Sequence, residues 1–377
     1  MNLIRGGYAS PASLFAAGEQ GAWYNPSDLT TLFQDNLGAT PVTAPGQTVG
    51  LMLDKSQGLV LGSELVTNGD FSQGSTGWSG SGAGGWVISG GVATHTAGTY
   101  GTLSTTATDA TTAGKSYLLT FDFAGTGALN VYSRNALIAL VSGTGSKRFI
   151  FTAAATSGPT LNFEDQTFNG TIDNISVKLL AGNHATQATS TQRPLYQIDG
   201  TGRPYLAFDG VDDCMVTNTI TPAIDKVQVF AGVRKLSDAA SGMLVELGDG
   251  TSQPGTFGFR FPSLTLAGAT FSSRGTSSAN ATTGGIPAPS TNVLTGLGDI
   301  VAPSSILRSN GIQVGIDTAT QGTGNFLAYP IYIGRRAGIS NPFNGRLYSL
   351  IMRFGANLTT GQITSTESWV NGKTGAY

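Results

Sequence analysis

Charged side chains and cysteine are both scarce in this chain. Asp, Glu, Lys and Arg make up 11% of the 377 residues, against about 25% in an average soluble domain, and the formal net charge is −2. No basic field is available to neutralise phosphates, so we expect no nucleic-acid partner. The single cysteine, Cys214, excludes an intrachain disulfide and favours assembly in a reducing cytoplasm.

Other absences narrow the function further. No uncharged apolar run approaches the roughly 20 residues that cross a bilayer, so we expect no membrane insertion. Two histidines, His95 and His184, and one cysteine are too few for a four-ligand zinc site, and they make a Ser-His-Asp centre improbable. No glutamate has an aspartate two positions later, which removes the carboxylate pair that retaining glycosidases place on one strand. The sequence therefore predicts a protein that is not an enzyme.

Glycine is abundant, with 54 residues, which is typical of many short strands joined by tight turns. Apolar residues alternate with others along residues 117–123 and 227–233, and Phe257, Phe259 and Phe261 alternate with Gly258 and Arg260. A period of two predicts half-buried β-strands. The fold class that follows is all-β.

Two segments carry helix signals. Ser27 follows Pro26 and is expected to cap a short helical turn that runs through Phe33. Thr359 and Gln362 form a T-x-x-Q capping box, and Gly372 is placed to end the helix that they begin.

Composition divides the chain into four parts. Residues 1–62 are mixed, residues 63–181 and 193–377 are rich in strand patterns, and residues 182–192 are small and polar, as in a linker. The prediction is two tandem β-sandwiches after a short N-terminal segment.

The N-terminal segment is too small to bury a core of its own. Its apolar residues would need burial on a partner subunit or on the following sandwich. We therefore expect it to be an attachment segment, with these contact residues: Trp23, Tyr24, Leu29, Leu32 and Phe33.

The middle block resembles a known family at its two ends. It opens with residues 64–71, which include Asn68-Gly69-Asp70-Phe71, reaches Trp78, and closes with residues 172–177. This pair resembles the jelly-roll carbohydrate-binding modules of the family 4/9 type. The resemblance implies sugar binding and a structural calcium ion that uses Asp173, with Asp70 in the opening motif. The alternative is that Asp173 caps a turn.

The last block resembles laminin-G and concanavalin-like lectin sandwiches. The likeness lies in residues 206–213, 332–335 and 343–348 and in the terminal helix that starts near Thr359. It implies a second sandwich of lectin type.

The first block, through residues 21–29 and 49–56, is similar to leaders of structural proteins of tailed bacteriophages. This resemblance implies a virion protein that is assembled in the host cytoplasm. It would contact other virion proteins through its N-terminal segment and a host-surface polysaccharide through its sandwiches, as a homo-oligomer with a trimer as the first hypothesis.

Sugar binding needs exposed aromatic faces beside groups that pair with hydroxyls. Ordinary packing within a sandwich is the alternative role of such residues. The candidates are Trp86, Tyr100 and Tyr132 in the middle block and Tyr329, Tyr332, Arg335 and Arg336 in the last block.

The function expected from the sequence is a non-enzymatic virion protein of the tail-fibre or receptor-binding type that adheres to host-surface glycan. Two alternatives stay open. One is a capsid or tail decoration protein with a purely architectural role, and the other is a polysaccharide depolymerase whose site forms between subunits.

Overall fold

The computed structural model describes residues 10–80, 85–250, 253–263 and 267–377. The chain is nearly all β, with 47% strand and 7% helix, and its antiparallel sheets form sandwich-like domains, which confirms the predicted fold class. It divides into two compact units. Unit 1 holds the described residues of Met1–Asn36, Thr40–Leu59 and Gly182–Tyr377, and unit 2 holds Leu37–Ala39 and Val60–Ala181.

The first sixty residues contain short elements. Two 3₁₀ turns span Pro11–Phe15 and Leu29–Thr31. The strands are β1 (Gln20–Tyr24), β2 (Leu32–Phe33) and β3 (Leu51–Met52).

Unit 2 is built from eleven strands in the described residues. They are β4 (Leu61–Glu64), β5 (Trp78–Ser79), β6 (Trp86–Ser89), β7 (Val92–His95), β8 (Gly101–Thr105), β9 (Ser116–Thr126), β10 (Ala128–Ser133), β11 (Ala136–Ser142), β12 (Gly145–Thr152), β13 (Asn162–Asp165) and β14 (Asn169–Leu180).

The remainder of unit 1 contains a 3₁₀ turn at Ser190–Gln192, which β15 precedes and the other strands follow. Its strands are β15 (Ala185–Thr186), β16 (Leu195–Ile198), β17 (Pro204–Asp209), β18 (Met215–Thr217), β19 (Lys226–Lys235), β20 (Met243–Leu247), β21 (Thr256–Arg260), β22 (Ala269–Arg274), β23 (Ser278–Thr283), β24 (Ser290–Asp299), β25 (Ser304–Ser309), β26 (Ile312–Asp317), β27 (Ile331–Ile333) and β28 (Asn344–Phe354), and the chain ends with the helix α1 (Thr360–Thr374).

Unit 1 is a sandwich of two large sheets. One has the order β16-β17-β28-β19-β24-β25-β26 with β1 paired to β28, and the other has the order β2-β3-β15-β18-β27-β20-β21-β22-β23. The inward-facing residues of both sheets share one core, in which Val229 and Leu350 from the first sheet join Phe259 and Phe271 from the second. The alternation of Phe257 and Phe259 with Gly258 and Arg260 therefore does place the aromatic rings inside.

Unit 2 is a smaller sandwich. Its sheets have the orders β12-β9-β14-β7-β6, with β4 paired to β14, and β11-β10-β13-β8-β5. Leu119, Phe121 and Phe123 alternate along β9 and are buried, as the sequence predicted. Phe121 meets Phe163 of the facing sheet edge to face, with ring centroids 5.5 Å apart.

The N-terminal segment is not a separate attachment segment. Strand β1 pairs with β28 over its whole length, with Trp23 opposite Ile351 and Tyr24 opposite Leu350, and β2 and β3 belong to the second sheet of unit 1. Other parts of unit 1 therefore cover the apolar residues of these strands, and no separate partner is needed. The prediction of a domain boundary near residue 62 with a free segment before it is therefore corrected.

The predicted linker at 182–192 is also part of unit 1. Strand β15 lies between β3 and β18, and His184 is buried with its Nδ1 accepting the backbone N–H of Asp54 at 3.0 Å. Side chains of this segment also hold it in unit 1, because the Asn183 amide donates to the carbonyl of Gly21 at 2.6 Å and the Gln187 amide donates to the carbonyl of Cys214 at 3.0 Å.

The helix α1 begins as predicted, with the capping box of Thr359 and Gln362 formed. It ends at Gly375, which is left-handed (φ 65°), and not at Gly372. The predicted N-terminal turn is shorter than expected, because Asp28, rather than Ser27, caps it. Among the described residues, no helix combines the length and the apolar character that a membrane span requires.

Candidate functional site

Two of the predicted sugar-binding aromatics lie near one acidic residue on the five-stranded sheet of unit 2. Tyr132 on β10 and Glu164 on β13 point away from the core, and Tyr100 immediately precedes β8. Two asparagines lie beside them because of the strand pairing. Asn130 is opposite Glu164, and Asn162 is opposite Tyr132. Paired residues of antiparallel strands share a face. We call these five residues the tyrosine face.

Strand alternation creates this face. Leu129 and Val131 on β10 and Phe163 on β13 are fully buried in the core of unit 2, so the residues between them project outward. Tyr132 is half-buried and Tyr100 is 58% exposed. The face thus offers aromatic surface beside two side-chain amides, which is the combination that sugar hydroxyls and ring C–H groups require.

Glu164 is the polar centre of the face. The hydroxyl of Tyr100 donates a hydrogen bond to the Glu164 carboxylate, and this bond is the main reason that the pKa of Tyr100 is raised. Burial, followed by the charge of Glu164, raises the pKa of Tyr132. Glu164 therefore orients one ring and places a negative charge beside the other.

Exposed apolar residues extend the face across β11. Leu137 is opposite Tyr132 and Leu140 is opposite Asn130, and their exposures are 57% and 64%. Contiguous exposed apolar surface is typical of interaction sites, so the two leucines favour a contact at this face.

Trp86 does not belong to this face. Its ring is fully buried, its Nε1–H donates to the carbonyl of Gly101 at 3.3 Å, and it packs against His95 and Phe168. The prediction that Trp86 offers an exposed ring is wrong, because side chains alternate along β6 and Trp86 takes the inward position while Val87 is exposed.

The four candidates in the last block do not form one site. Tyr329 packs against the core of unit 1, and Arg335 donates to the carbonyls of Asp212 and Ile339, which holds its own loop. Tyr332 is opposite Glu246 on the outer side of its sheet.

Arg336 is also near Glu246, with Nε 3.9 Å from Oε2. Of the four candidates, Tyr332 and Arg336 are therefore the two that meet at a common residue.

The residues proposed for virion attachment are covered. Trp23, Tyr24, Leu32 and Phe33 are at most 6% exposed, and Leu29 packs against the core of unit 1. They stabilise the sandwich, and they are not available to a separate partner.

One backbone hydrogen bond joins the two segments that carry the predicted calcium ligands. The N–H of Ile175, two residues after Asp173 on β14, donates to the carbonyl of Gly69 at 2.9 Å, and Gly69 immediately precedes Asp70. Asp70 accepts hydrogen bonds from Ser72, and Asp173 accepts one from the N–H of Asn174. Their carboxylates are hard oxygen donors, so their chemistry fits calcium.

A separate acidic group occurs in unit 1, where Asp209, Asp212 and Asp213 lie within 4.8 Å of one another. The fold explains it, because the Asp209 carboxylate accepts backbone N–H groups that follow it, and Asp213 accepts the N–H of Asp209. Burial, and then the neighbouring charge of Asp209, raises the pKa of Asp213 to about 6.

Sequence reasoning missed Asn130, Asn162 and Glu164. The alternation of Asn130 and Tyr132 with Leu129 and Val131 was a usable signal for the first. The approach of Glu164 to Tyr100 depends on pairing between residues more than 60 positions apart, which the sequence pattern does not show.

The chain is similar to known proteins at the level of solved structures. No protein-family model and no curated protein matches the chain. Among solved structures it is similar to the CBM40 of Ruminococcus gnavus IT-sialidase, at 16% identity and a TM-score of 0.32 over 38% of this chain and 84% of that one.

A second similar structure is the botulinum neurotoxin serotype D/C VPI 5993 binding domain, at 9% identity and a TM-score of 0.35 over 50% of this chain and 49% of that one. This chain thus spans about half the length of that domain. Because both TM-scores are below 0.5, we draw no functional argument from either likeness.

Proposed function

We propose that this protein is a non-catalytic glycan-binding protein, and that unit 2 binds an uncharged oligosaccharide at the tyrosine face. The observation that carries the proposal is the pair of exposed Tyr100 and half-buried Tyr132 around Glu164. Aromatic rings stack on the apolar side of a sugar ring, and the flanking amides and carboxylate accept or donate hydrogen bonds to hydroxyls.

The charge of the tyrosine face favours an uncharged sugar. Glu164 is adjacent to both tyrosines, and Asp165 follows it on β13 and contributes to the raised pKa of Tyr132. A carboxylated or sulfated sugar would be repelled here. The ligand class is therefore a neutral hexose polymer or the neutral part of a surface polysaccharide.

The test is a glycan array probed with the full chain, followed by titration with the strongest neutral ligand. We expect Tyr132→Ala and Tyr100→Ala to weaken binding by about tenfold, which corresponds to about 1.4 kcal/mol for each lost ring. Tyr377→Ala is the matched control, because Tyr377 is 57% exposed and lies in unit 1. Unchanged affinity in both unit 2 variants would refute the proposal.

Binding without bond cleavage is part of the proposal. We expect no release of reducing ends when the chain is incubated with a polysaccharide that it binds. Such release would favour the depolymerase alternative.

The calcium ion is a further part of this proposal and has a stabilising role. It rests on the resemblance of the middle block to family 4/9 modules and on the backbone hydrogen bond from Ile175 to Gly69, which joins the segments of Asp173 and Asp70.

The virion role is proposed on the resemblance to phage structural proteins. Attachment would have to use a surface other than residues 23–33, which are packed in unit 1. Detection of the chain by mass spectrometry in purified particles, and a mass three times that of the 38.6 kDa chain in solution, would support a trimeric virion protein. Recovery only in the particle-free fraction would contradict it.

A further inference from the structure

A second candidate site lies in unit 1, on the outer side of the nine-stranded sheet. A cleft of about 190 Å³ opens over β20, β21, β22 and β23. Among the described residues its lining includes Arg260, Arg274 and Arg336, with Glu246, Ser272 and Asn280. We call it the arginine cleft.

The sheet register explains how the cleft forms. Glu246, Gly258, Ser272 and Asn280 are successive partners across β20, β21, β22 and β23, so they make one row on the outer face. Gly258 has no side chain at the middle of this row, which leaves the floor open. Arg260 forms the wall on one side of this row, and Thr256 with its partner Arg274 forms the wall on the other side.

Positive charge exceeds negative charge among the side chains that line the cleft. Three guanidinium groups line the cleft in the described part of the chain, against the single carboxylate of Glu246. Burial, and then the positive charge of Arg336, lowers the pKa of Arg260. Burial raises the pKa of Glu246, although Arg336 and Arg260 oppose that shift. The cleft is thus electropositive in a chain whose formal net charge is −2.

These guanidinium groups also have unused donors. The Nε atoms of Arg260, Arg274 and Arg336 are buried, and within the described residues they have no hydrogen-bond partner. Buried polar groups in native proteins are nearly always paired, and an unpaired donor on a charged group destabilises the fold. These three atoms are enclosed by protein, so they mark side chains whose positive charge the described residues around the cleft leave incompletely balanced.

We propose that the arginine cleft binds the anionic group of an acidic sugar, either a carboxylate or a sulfate ester. Guanidinium groups match both oxyanions through paired N–H donors. The lining hydroxyl and amide groups suit the ring hydroxyls, and the Ser272 hydroxyl orients the Asn280 amide through a hydrogen bond of 2.6 Å.

The size of the cleft limits what enters it. Pockets for drug-sized ligands measure about 300–1,000 Å³, so 190 Å³ accommodates one sugar residue with its charged group and not a long oligosaccharide. The rest of a polymer would lie outside the cleft. The choice of a sugar as the carrier of the anion rests on the proposed glycan-binding function, whereas the anion site itself does not.

The test is calorimetric titration of the full chain with four probes. These are a uronate-containing tetrasaccharide, its carboxyl-reduced form, a sulfated tetrasaccharide and inorganic sulfate. We expect at least one acidic tetrasaccharide to bind at least tenfold more tightly than the reduced form, with an affinity that falls as salt is raised. Preference for the carboxylated or the sulfated probe identifies the anion.

Two variants remove the site in different ways. Arg260→Gln should weaken acidic-sugar binding at least tenfold. Gly258→Val should block the floor, and the fold allows it because a Cβ at Gly258 meets only Met243 atoms, at 3.6 and 3.8 Å. Arg346→Gln is the matched control, since Arg346 stacks on Tyr205 in the other sheet of unit 1. Circular dichroism verifies that each variant is folded.

Three results would overturn the proposal. One is equal affinity for the acidic and the reduced tetrasaccharide, and another is unchanged binding by folded Arg260→Gln and Gly258→Val. The third is inorganic sulfate that binds as tightly as the sulfated sugar, which would leave an ion site without sugar recognition. Tyr132→Ala should keep acidic-sugar binding, so failure here and failure of the tyrosine face are distinguishable.

Discussion

Asp54 connects three parts of unit 1 that are distant in sequence, and its removal should have a pH-dependent effect. The carboxylate is fully buried. It accepts the N–H groups of Trp23, Ser56 and Asn183, each at 2.8 Å, and the Ser56 hydroxyl at 2.8 Å. Asp54→Ala would leave these buried donors without an acceptor.

Two opposing free energies decide the size of the effect. Unpaired buried donors cost about 1–3 kcal/mol each, so the three N–H groups together predict a loss of about 3–9 kcal/mol in the free energy of unfolding. Burial raises the pKa of Asp54 from 3.8 to about 6, although its hydrogen bonds oppose that shift. At 1.36 kcal/mol per pKa unit, ionisation of Asp54 costs the folded state about 3 kcal/mol.

The sign of the pH dependence follows from this raised pKa. Between pH 3.8 and about 6 the folded state binds more protons at Asp54 than the unfolded state does. The contribution of Asp54 to the free energy of unfolding therefore falls as pH rises through this window. Asp54→Ala lacks this titration, so the difference between wild type and variant should be largest near pH 4 and shrink by about 3 kcal/mol by pH 7.

The assay is hydrogen exchange with mass spectrometry on the full chain at several pH values, which separates amides of unit 1 from those of unit 2. Asp213, whose pKa is also raised to about 6, is present in both proteins and cancels in the difference. Ser56→Ala is the control and should lose about 1 kcal/mol while it keeps the pH dependence. A loss in Asp54→Ala below about 1 kcal/mol that does not vary with pH would refute the reasoning.

Three further predictions concern stability. Glu367→Ala should lower the free energy of unfolding by about 3–5 kcal/mol, because it leaves Arg308 without its bidentate partner at 2.7 and 3.1 Å, and Arg308→Ala serves as the comparison in urea titration. Gly232→Val should cost about 1–3 kcal/mol or more, since a Cβ there would come 1.9 Å from the Thr374 hydroxyl of α1, and a wild-type midpoint would contradict the packing of α1. EDTA should lower the thermal midpoint of unit 2, and Asp173→Ala should abolish that response; an unchanged midpoint in wild type contradicts the calcium proposal.

Local patterns predicted the elements that depend on neighbours in sequence. The alternation in β9 and in Phe257–Arg260 placed the apolar side chains inside, and the Thr359 capping box located the start of α1. These signals need no knowledge of partners, because side-chain period and capping are set within a few residues.

The first strand illustrates what a sequence pattern cannot show. Ala22, Trp23 and Tyr24 are all buried, so β1 has no alternation of polar and apolar residues. Ala22 and Tyr24 contact the core between the sheets, whereas Trp23 packs against Trp369 of α1 with ring centroids 5.5 Å apart. A strand covered on both faces has no period of two, and its pairing with β28 spans more than 300 residues.

The same distinction applies to the two candidate sites. Tyr100 and Tyr132 were predicted from residue type, but their common neighbour Glu164 depends on strand pairing. Arg260 was noted only as a position that alternates with phenylalanines and was not predicted as a site residue, because its approach to Arg336 depends on strands that pair across the sheet.

Protection of backbone amides on ligand binding tests the glycan-binding account most directly. Hydrogen exchange of the full chain would be compared with and without the strongest neutral oligosaccharide from the array. At a ligand concentration near the wild-type dissociation constant, the account predicts slower exchange in β8, β10 and β13, around Tyr100, Tyr132 and Glu164. Protection should be much smaller in Tyr132→Ala, whose affinity is expected to be about tenfold lower. Saturating ligand that leaves these three strands unprotected, or protects only other parts of the chain, would contradict it.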